Sequence, residues 1–284
     1  MGNVQRVLNT IEKSPVTGSI HGRINQLDTT LFEGVPSQTS GDDRRSLLAI
    51  HAAVAGLRGS FAYLEIGSHL GGSIQPYLLD DRCNMIISID KRPARQPDMR
   101  GQTYEYPGNS TERMLQYLRR ISAEGVRKLR TFDADAGQLK PSEISVRPDV
   151  CFVDGEHTNL AIERDFAFCL SVVEDRGVIF FHDSNIVFEG LSRIVEGLKA
   201  SGRRFRAYNL PTHLFVIDLG ERLHKDNRIL QLLVDNHLGY LPGLESMSDY
   251  RDFYNNWPSR KLRVLYQNRP VRKCYHLVQR WLGK

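Results

Sequence analysis

Tyr63-Leu64-Glu65-Ile66-Gly67-Ser68-His69-Leu70-Gly71-Gly72-Ser73 decides the reading of this chain. An apolar strand ends at an acid, a glycine-rich turn follows, and a new segment opens beyond it. Glycine lacks a Cβ and tolerates positive φ, so such a turn lets the backbone come close to a nucleotide-like ligand. The spacing is informative. A dinucleotide-binding turn reads G-x-G-x-x-G, whereas Ser68, His69 and Leu70 separate Gly67 from Gly71 here.

Outward from this turn, short β-rich runs alternate with helical stretches. The pattern predicts strands over 62–66, 85–90, 128–132, 150–153 and 177–181, with helices over 73–79, 110–122 and 159–173. Upstream, Ser40-Gly41-Asp42-Asp43 supplies N-cap chemistry for a helix running through Leu47, Leu48, Val54 and Leu57. Such alternation predicts a parallel sheet covered on both faces. After Phe181 the pattern changes to a helix over 186–200, a strand over 206–209, a turn at Pro211-Thr212 and a strand over 213–218. Strands joined by so short a turn run antiparallel. The expected fold is α/β: a Rossmann-like, seven-stranded, mostly parallel sheet ending in an antiparallel hairpin, with helical N- and C-terminal additions. Residues 1–41 read as a leader packed over the core, 42–219 as the core, and 220–284 as a helical, basic extension with helices over 222–238 and 247–254.

At 284 residues and 40% apolar content the chain can bury a sizeable core. It has no apolar run of about 18 residues, the length a transmembrane helix needs, and Met1-Gly2-Asn3-Val4-Gln5-Arg6 lacks the apolar stretch of a secretory signal. Cys83, Cys151, Cys169 and Cys274 form no C-x-x-C pair, and reduced thiols in a cytoplasmic protein are expected. The net charge of +5 is concentrated in residues 258–284, which hold Arg260, Lys261, Arg263, Arg269, Arg272, Lys273, Arg280 and Lys284 and no acid. Without that tail the chain is slightly acidic, and no nucleic-acid partner is expected.

With Glu65 two residues ahead of Gly67, the turn resembles motif I of class I S-adenosylmethionine (SAM) methyltransferases, E-x-G-x-x-x-G. The closing hairpin fits the same class, and the resemblance covers roughly residues 42–219. It implies SAM as cofactor. Backbone N–H groups of Gly67, Ser68 and Gly71 would meet the methionine carboxylate, and Glu65 would receive the ammonium, directly or through water. Asp90, closing the second strand, would accept both ribose hydroxyls. Ala134-Asp135-Ala136-Gly137-Gln138-Leu139 resembles the family's G-D-A-x-x-L segment, where Asp135, beside Ala136, would accept from the adenine amino group.

Asp154-Gly155-Glu156-His157 follows the fourth strand and His182-Asp183-Ser184-Asn185 the fifth. Asp154 and Asp183 could hold a hard divalent cation such as Mg²⁺ beside a substrate hydroxyl. His157, of ordinary pKa near 6.5, is a natural base, with His182 a rival. The layout is similar to metal-dependent O-methyltransferases of the catechol and caffeoyl-CoA type, with Asp154 at their metal aspartate, His157 at their catalytic lysine and Asp183 at their second aspartate. Those enzymes carry Asn next; here Ser184 stands there as candidate third ligand, and Asn185 is one further on. D-G-x-H, then H-D after the next strand, looks most like the methyltransferase 24 family, many of whose members act on sugar or natural-product hydroxyls. His69 reads as a surface or cofactor-lining residue rather than a catalytic one.

The implied function is SAM-dependent O-methylation of a small molecule or sugar, of natural-product or polysaccharide type, assisted by a divalent metal. An RNA or protein methyltransferase is the alternative, disfavoured by the acidic core and by the lack of an aromatic-proline tetrad after the fourth strand. A nucleotide-dependent oxidoreductase is disfavoured by the glycine spacing and the hairpin. A SAM-binding module without activity would leave Asp154, His157 and Asp183 without purpose. In the tail, cations interleave with Leu262, Val264, Leu265, Tyr266 and Trp281. Peripheral contact with anionic lipid or a polyanionic substrate carrier is one reading; a helix packing its apolar face on the core is the favoured one.

Overall fold

The computed structural model describes residues 18–93, 95–101 and 103–234. In chain order the elements are α1 (Ile20–Asn25), α2 (Gly41–Arg58), β1 (Phe61–Ile66), α3 (Gln75–Leu79), β2 (Cys83–Ile89), β3 (Arg95–Pro97), β4 (Thr103–Glu105) and α4 (Thr111–Ile121). They continue with β5 (Leu129–Phe132), β6 (Val150–Val153), α5 (Asn159–Val172), β7 (Val178–Phe181), α6 (Phe188–Ala200), β8 (Arg206–Leu210) and β9 (Leu214–Asp218). Seven strands form one sheet in the order β5-β2-β1-β6-β7-β9-β8. Neighbours from β5 to β7 are parallel, and β9 runs antiparallel to both β7 and β8. This is the expected mostly parallel sheet closed by a hairpin.

The inner strands explain why it forms. Every residue of β1, β6 and β7 is buried, as strands covered by helices on both faces must be. Side chains alternate between the faces. Phe61 and Tyr63 join a core layer with residues of α2, α3 and α4, while Leu64 and Ile66 join a second with residues of α5 and α6. α2 opens with a reciprocal cap in which Ser40 Oγ accepts from Asp43 N and the Asp43 carboxylate accepts from Ser40 N. Such a cap contributes about 1 kcal/mol.

Ahead of α2, Ile24, Leu31, Phe32 and Val35 pack into the first core layer. Gln75 fixes the path of this segment: Nε2 donates to Phe32 O at 3.0 Å, and Oε1 accepts from Gly34 N at 2.9 Å. Residues 36–39 are thereby laid across the carboxyl edge of the sheet.

One element was not anticipated from the sequence. β3 and β4 form a separate two-stranded ribbon, three residues each and containing Pro97. Past β9, Leu223, Ile229 and Leu232 are buried in the first core layer, and a helix occupies 227–234. The rest of the helix expected over 222–238, the one over 247–254 and the basic tail lie outside the described residues. Among the described residues, no helix is long and apolar enough to cross a membrane, and Cys83, Cys151 and Cys169 are buried free thiols.

Candidate active site at the carboxyl edge of the sheet

Register decides what meets at this edge. Ile66 pairs with Ile89 and Val153, Ile89 with Phe132, and Val153 with Phe181. The residues that follow, Gly67, Asp90, Asp133, Asp154 and His182, therefore emerge in one row where the connections diverge. A cavity of about 230 Å³ opens there, lined among others by Thr39, Glu65, Asp90, Tyr106, Asp154 and His157. A narrower one of about 20 Å³, lined by Ala136, Arg164 and Asp165, shares Gly67, Asp90 and Gln96 with it.

The glycine turn brings backbone close to backbone. Gly67 has φ +92°, and a Cβ there would lie 2.2 Å from Asp154 O; Gly71 has φ +83°. Their N–H groups are engaged within the protein, Gly67 N donating to Ile89 O at 2.8 Å and Gly71 N to Ser68 O at 2.7 Å. The expectation that both N–H groups face a ligand carboxylate is thus revised. These glycines supply clearance, because closing the turn consumes their donors. Ser68 is buried, and its Oγ accepts from Ser88 Oγ at 2.7 Å.

Glu65 is 1% exposed. Its carboxyl accepts from Tyr63 Oη at 2.8 Å and from Ser73 Oγ, and burial pushes its pKa up to about 8. Asp90 accepts from His69 N at 2.8 Å and from Arg92 N at 2.7 Å. Arg92, which the sequence did not single out, folds its guanidinium back to His69 O and to Asn109 Oδ1 at 3.1 Å, stapling the turn to the second strand's end. In the narrow cavity, Asp135 accepts from Gly137 N at 2.9 Å and pairs with Arg164 at 3.2 Å beside the buried Ala136. Asp165, also missed, is 2% exposed, and burial raises its carboxyl to about 6. It sits in the polar run Glu163-Arg164-Asp165, which reads as a solvated helix face.

Two histidines and four carboxylates converge beside the larger cavity. His157 Nε2 lies 3.2 Å from Asp183 Oδ2 and 3.6 Å from Asp154 Oδ1, while its Nδ1 lies 3.5 Å from Asp98 Oδ2. His182 Nδ1 lies 3.3 Å from Asp154 Oδ1 and 3.4 Å from Asp183 Oδ2, and its Nε2 lies 3.4 Å from Asp43 Oδ2. Burial works against charge on these groups, but opposite charges prevail. His182 and His157 hold Asp154 at about 2. Contacts with Asp154 and Asp98 and the charge of Asp183 raise His157 to about 10, and His182 is raised far above the ordinary imidazole range. Asp43 and Asp98 were not expected here. Asp43 reads as a helix cap, and Asp98 follows the short strand that no alternation betrays.

Ser184 does not join this cluster. Its N–H donates to His213 O at 3.0 Å and its Oγ lies 3.4 Å from Asn209 Oδ1. Asp183 has φ +50°, and the chain beyond it turns toward the hairpin. At this edge, Asp154, His182 and Asp183 bring their ligand atoms within 4.8 Å of one another. This donor set fits a divalent cation: it holds two carboxylates and an imidazole, and the adjacent His157 Nε2 is buried without a hydrogen bond.

The sheet order and the closing antiparallel hairpin are those of the Rossmann-like α/β fold of class I methyltransferases. Residues 64–184 match the model of the methyltransferase 24 family, described as a methyltransferase domain. Among solved structures, the chain is similar to an apo TDP-rhamnose 3′-O-methyltransferase of calicheamicin biosynthesis, with 12% identity over 76% of this chain and 100% of that one, TM-score 0.48. It is similar to the O-methyltransferase TomG of Streptomyces achromogenes, involved in tomaymycin synthesis and bound to SAM, with 15% identity over 71% and 90%, TM-score 0.45. It is also similar to the MycE methyltransferase of the mycinamycin pathway bound to Mg, S-adenosylhomocysteine and mycinamycin VI, with 12% identity over 71% and 55%, TM-score 0.46. No curated protein matches the sequence.

Proposed function

We propose that this protein is an O-methyltransferase that moves the SAM methyl group to a hydroxyl of a small molecule or sugar. The observation behind this reading is the meeting of His157, Asp154 and Asp183 beside a cavity that Glu65 and Asp90 also line. In it, Glu65 receives the methionine ammonium, Asp90 the ribose hydroxyls, and Asp135 with Ala136 the adenine, while Gly67, Ser68 and Gly71 shape the turn around the methionine moiety. His157 Nε2 takes the proton of the acceptor hydroxyl as that oxygen attacks the methyl carbon. The carbon–sulfur bond breaks, and its electron pair returns to sulfur to give S-adenosylhomocysteine. Asp98, Asp154 and Asp183 stabilise the resulting imidazolium. A divalent cation held by Asp154, His182 and Asp183 would polarise the hydroxyl and, by offsetting carboxylate charge, return His157 to the neutral form a base requires.

The test is S-adenosylhomocysteine release over a panel of sugars and hydroxylated natural products, followed by His157→Ala and Asp154→Ala. Each variant is expected to lower turnover by about 100-fold or more while SAM affinity, measured by calorimetry, changes little. Unchanged turnover in both variants rejects the assignment.

A further inference from the structure

The rim cluster carries a donor that a magnesium site does not need. Mg²⁺ takes oxygen ligands in a strict octahedron, whereas imidazole nitrogen suits the first-row transition ions. Here an imidazole is the third member of the cluster. His182 Nδ1 stands 3.3 Å from Asp154 Oδ1 and 3.4 Å from Asp183 Oδ2, and the neighbouring neutral oxygen of Ser184 is turned away to Asn209.

We infer that His182 is a metal ligand and that it makes this site select a transition ion such as Mn²⁺ or Co²⁺ over Mg²⁺. The arrangement behind His182 supports the assignment. Ligating histidines commonly hold the far ring nitrogen against a carboxylate, which fixes tautomer and ring orientation. His182 Nε2 faces Asp43 Oδ2 at 3.4 Å, and Asp43 is itself 3% exposed. Asp43 is held by Ser40 N at 2.9 Å, Ser40 Oγ at 2.7 Å and the Thr212 hydroxyl. With Nε2 protonated toward Asp43, the Nδ1 lone pair points at the gap between Asp154 and Asp183.

His157 stands apart from this triad. Its Nε2, buried and without a hydrogen bond, is aimed at the same two carboxylates, 3.2 Å from Asp183 and 3.6 Å from Asp154. Arg100 neutralises Asp98 through a fork whose Nη2 lies 2.7 Å from Oδ2. That leaves Asp154 and Asp183 facing the pocket, with Asp43 behind His182.

The inference shares the site of the proposed methyl transfer but is read without acceptor or turnover, so the two fail separately. Metal-free full-length protein is titrated with MgCl₂, MnCl₂ and CoCl₂ by calorimetry, and the Mn²⁺ form is examined by pulsed electron paramagnetic resonance. Mn²⁺ and Co²⁺ are expected to bind at least about tenfold more tightly than Mg²⁺, with directly coordinated ¹⁴N visible on Mn²⁺. His182→Asp should reduce the Co²⁺-over-Mg²⁺ ratio by about tenfold or more. Absence of ¹⁴N coupling on wild-type protein overturns the inference without any variant, and so does an unchanged ratio in a folded His182→Asp. No binding of any of the three ions also overturns it, whatever His157→Ala does to turnover.

Discussion

Asp98 and His157 are joined twice. Met99 N donates to His157 O at 3.0 Å, pairing the ribbon with the segment after β6, and Asp98 Oδ2 lies 3.5 Å from His157 Nδ1. Asp98 cannot swing away, because Arg100 donates to its Oδ1 from N at 2.7 Å and from Nε at 2.9 Å. A carboxylate at Nδ1 directs the Nε2 lone pair toward Asp154 and Asp183, the side from which an acceptor proton would arrive. Asp98→Asn keeps the shape and removes the charge. It is expected to lower kcat by about 10- to 100-fold with little change in SAM affinity. Parallel loss of SAM binding and thermal stability would make Asp98 structural only.

The contact between Gly67 and Asp154 leaves no room for adjustment. A Cβ at Gly67 would meet Asp154 O at 2.2 Å and Asp154 C at 2.4 Å, both backbone atoms, at φ +92°. Gly67→Ala is expected to cost about 2–4 kcal/mol and to abolish SAM binding, since the turn and the catalytic loop share that contact. Gly56 is the control. It lies inside α2 with nothing within 4 Å of its missing Cβ, so Gly56→Ala should stabilise by about 0.5–1 kcal/mol. Urea unfolding of both variants measures the contrast.

These two contacts show what the sequence disclosed. The apolar runs of β1, β6 and β7 announced themselves because inner parallel strands are buried on both faces. The rim residues Asp90, Asp154 and His182 followed because register carries strand ends to one edge. Asp98 was hidden because β3 has three residues and no alternation. Ser184 was misplaced because the positive φ of Asp183 is a backbone choice that residue identity does not announce. Arg92 reaches the glycine turn and Asp165 the narrow cavity by side-chain routes across other elements, and no local spacing encodes such routes.

Asp43 serves two elements at once, and two substitutions separate them. Its carboxylate caps α2 through Ser40 N and faces His182 Nε2 at 3.4 Å. Asp43→Ala loses both contacts and is expected to destabilise by about 1–2 kcal/mol. Asp43→Asn retains an oxygen for Ser40 N and should keep most of that stability while weakening metal binding by about tenfold. Thermal unfolding and metal titration of the pair resolve the two contributions, and equal metal affinity in wild type and Asp43→Asn would show that the charge behind His182 is idle.

Glu65 links protonation to cofactor binding. Burial lifts its folded pKa to about 8 from an ordinary 4.5. A folded value above the unfolded one means that the contribution to stability is complete below pH about 4.5 and is lost as pH rises toward about 8. The ligand-free protein is therefore expected to lose stability across that window, and Glu65→Gln to lose less. An ammonium placed against the carboxyl favours its ionised form. SAM binding at pH 7 should then expel about one proton from wild type and close to none from Glu65→Gln. Calorimetry in buffers of different ionisation enthalpy counts that proton. A buffer-independent enthalpy in wild type would mean that the methionine ammonium docks elsewhere than on Glu65.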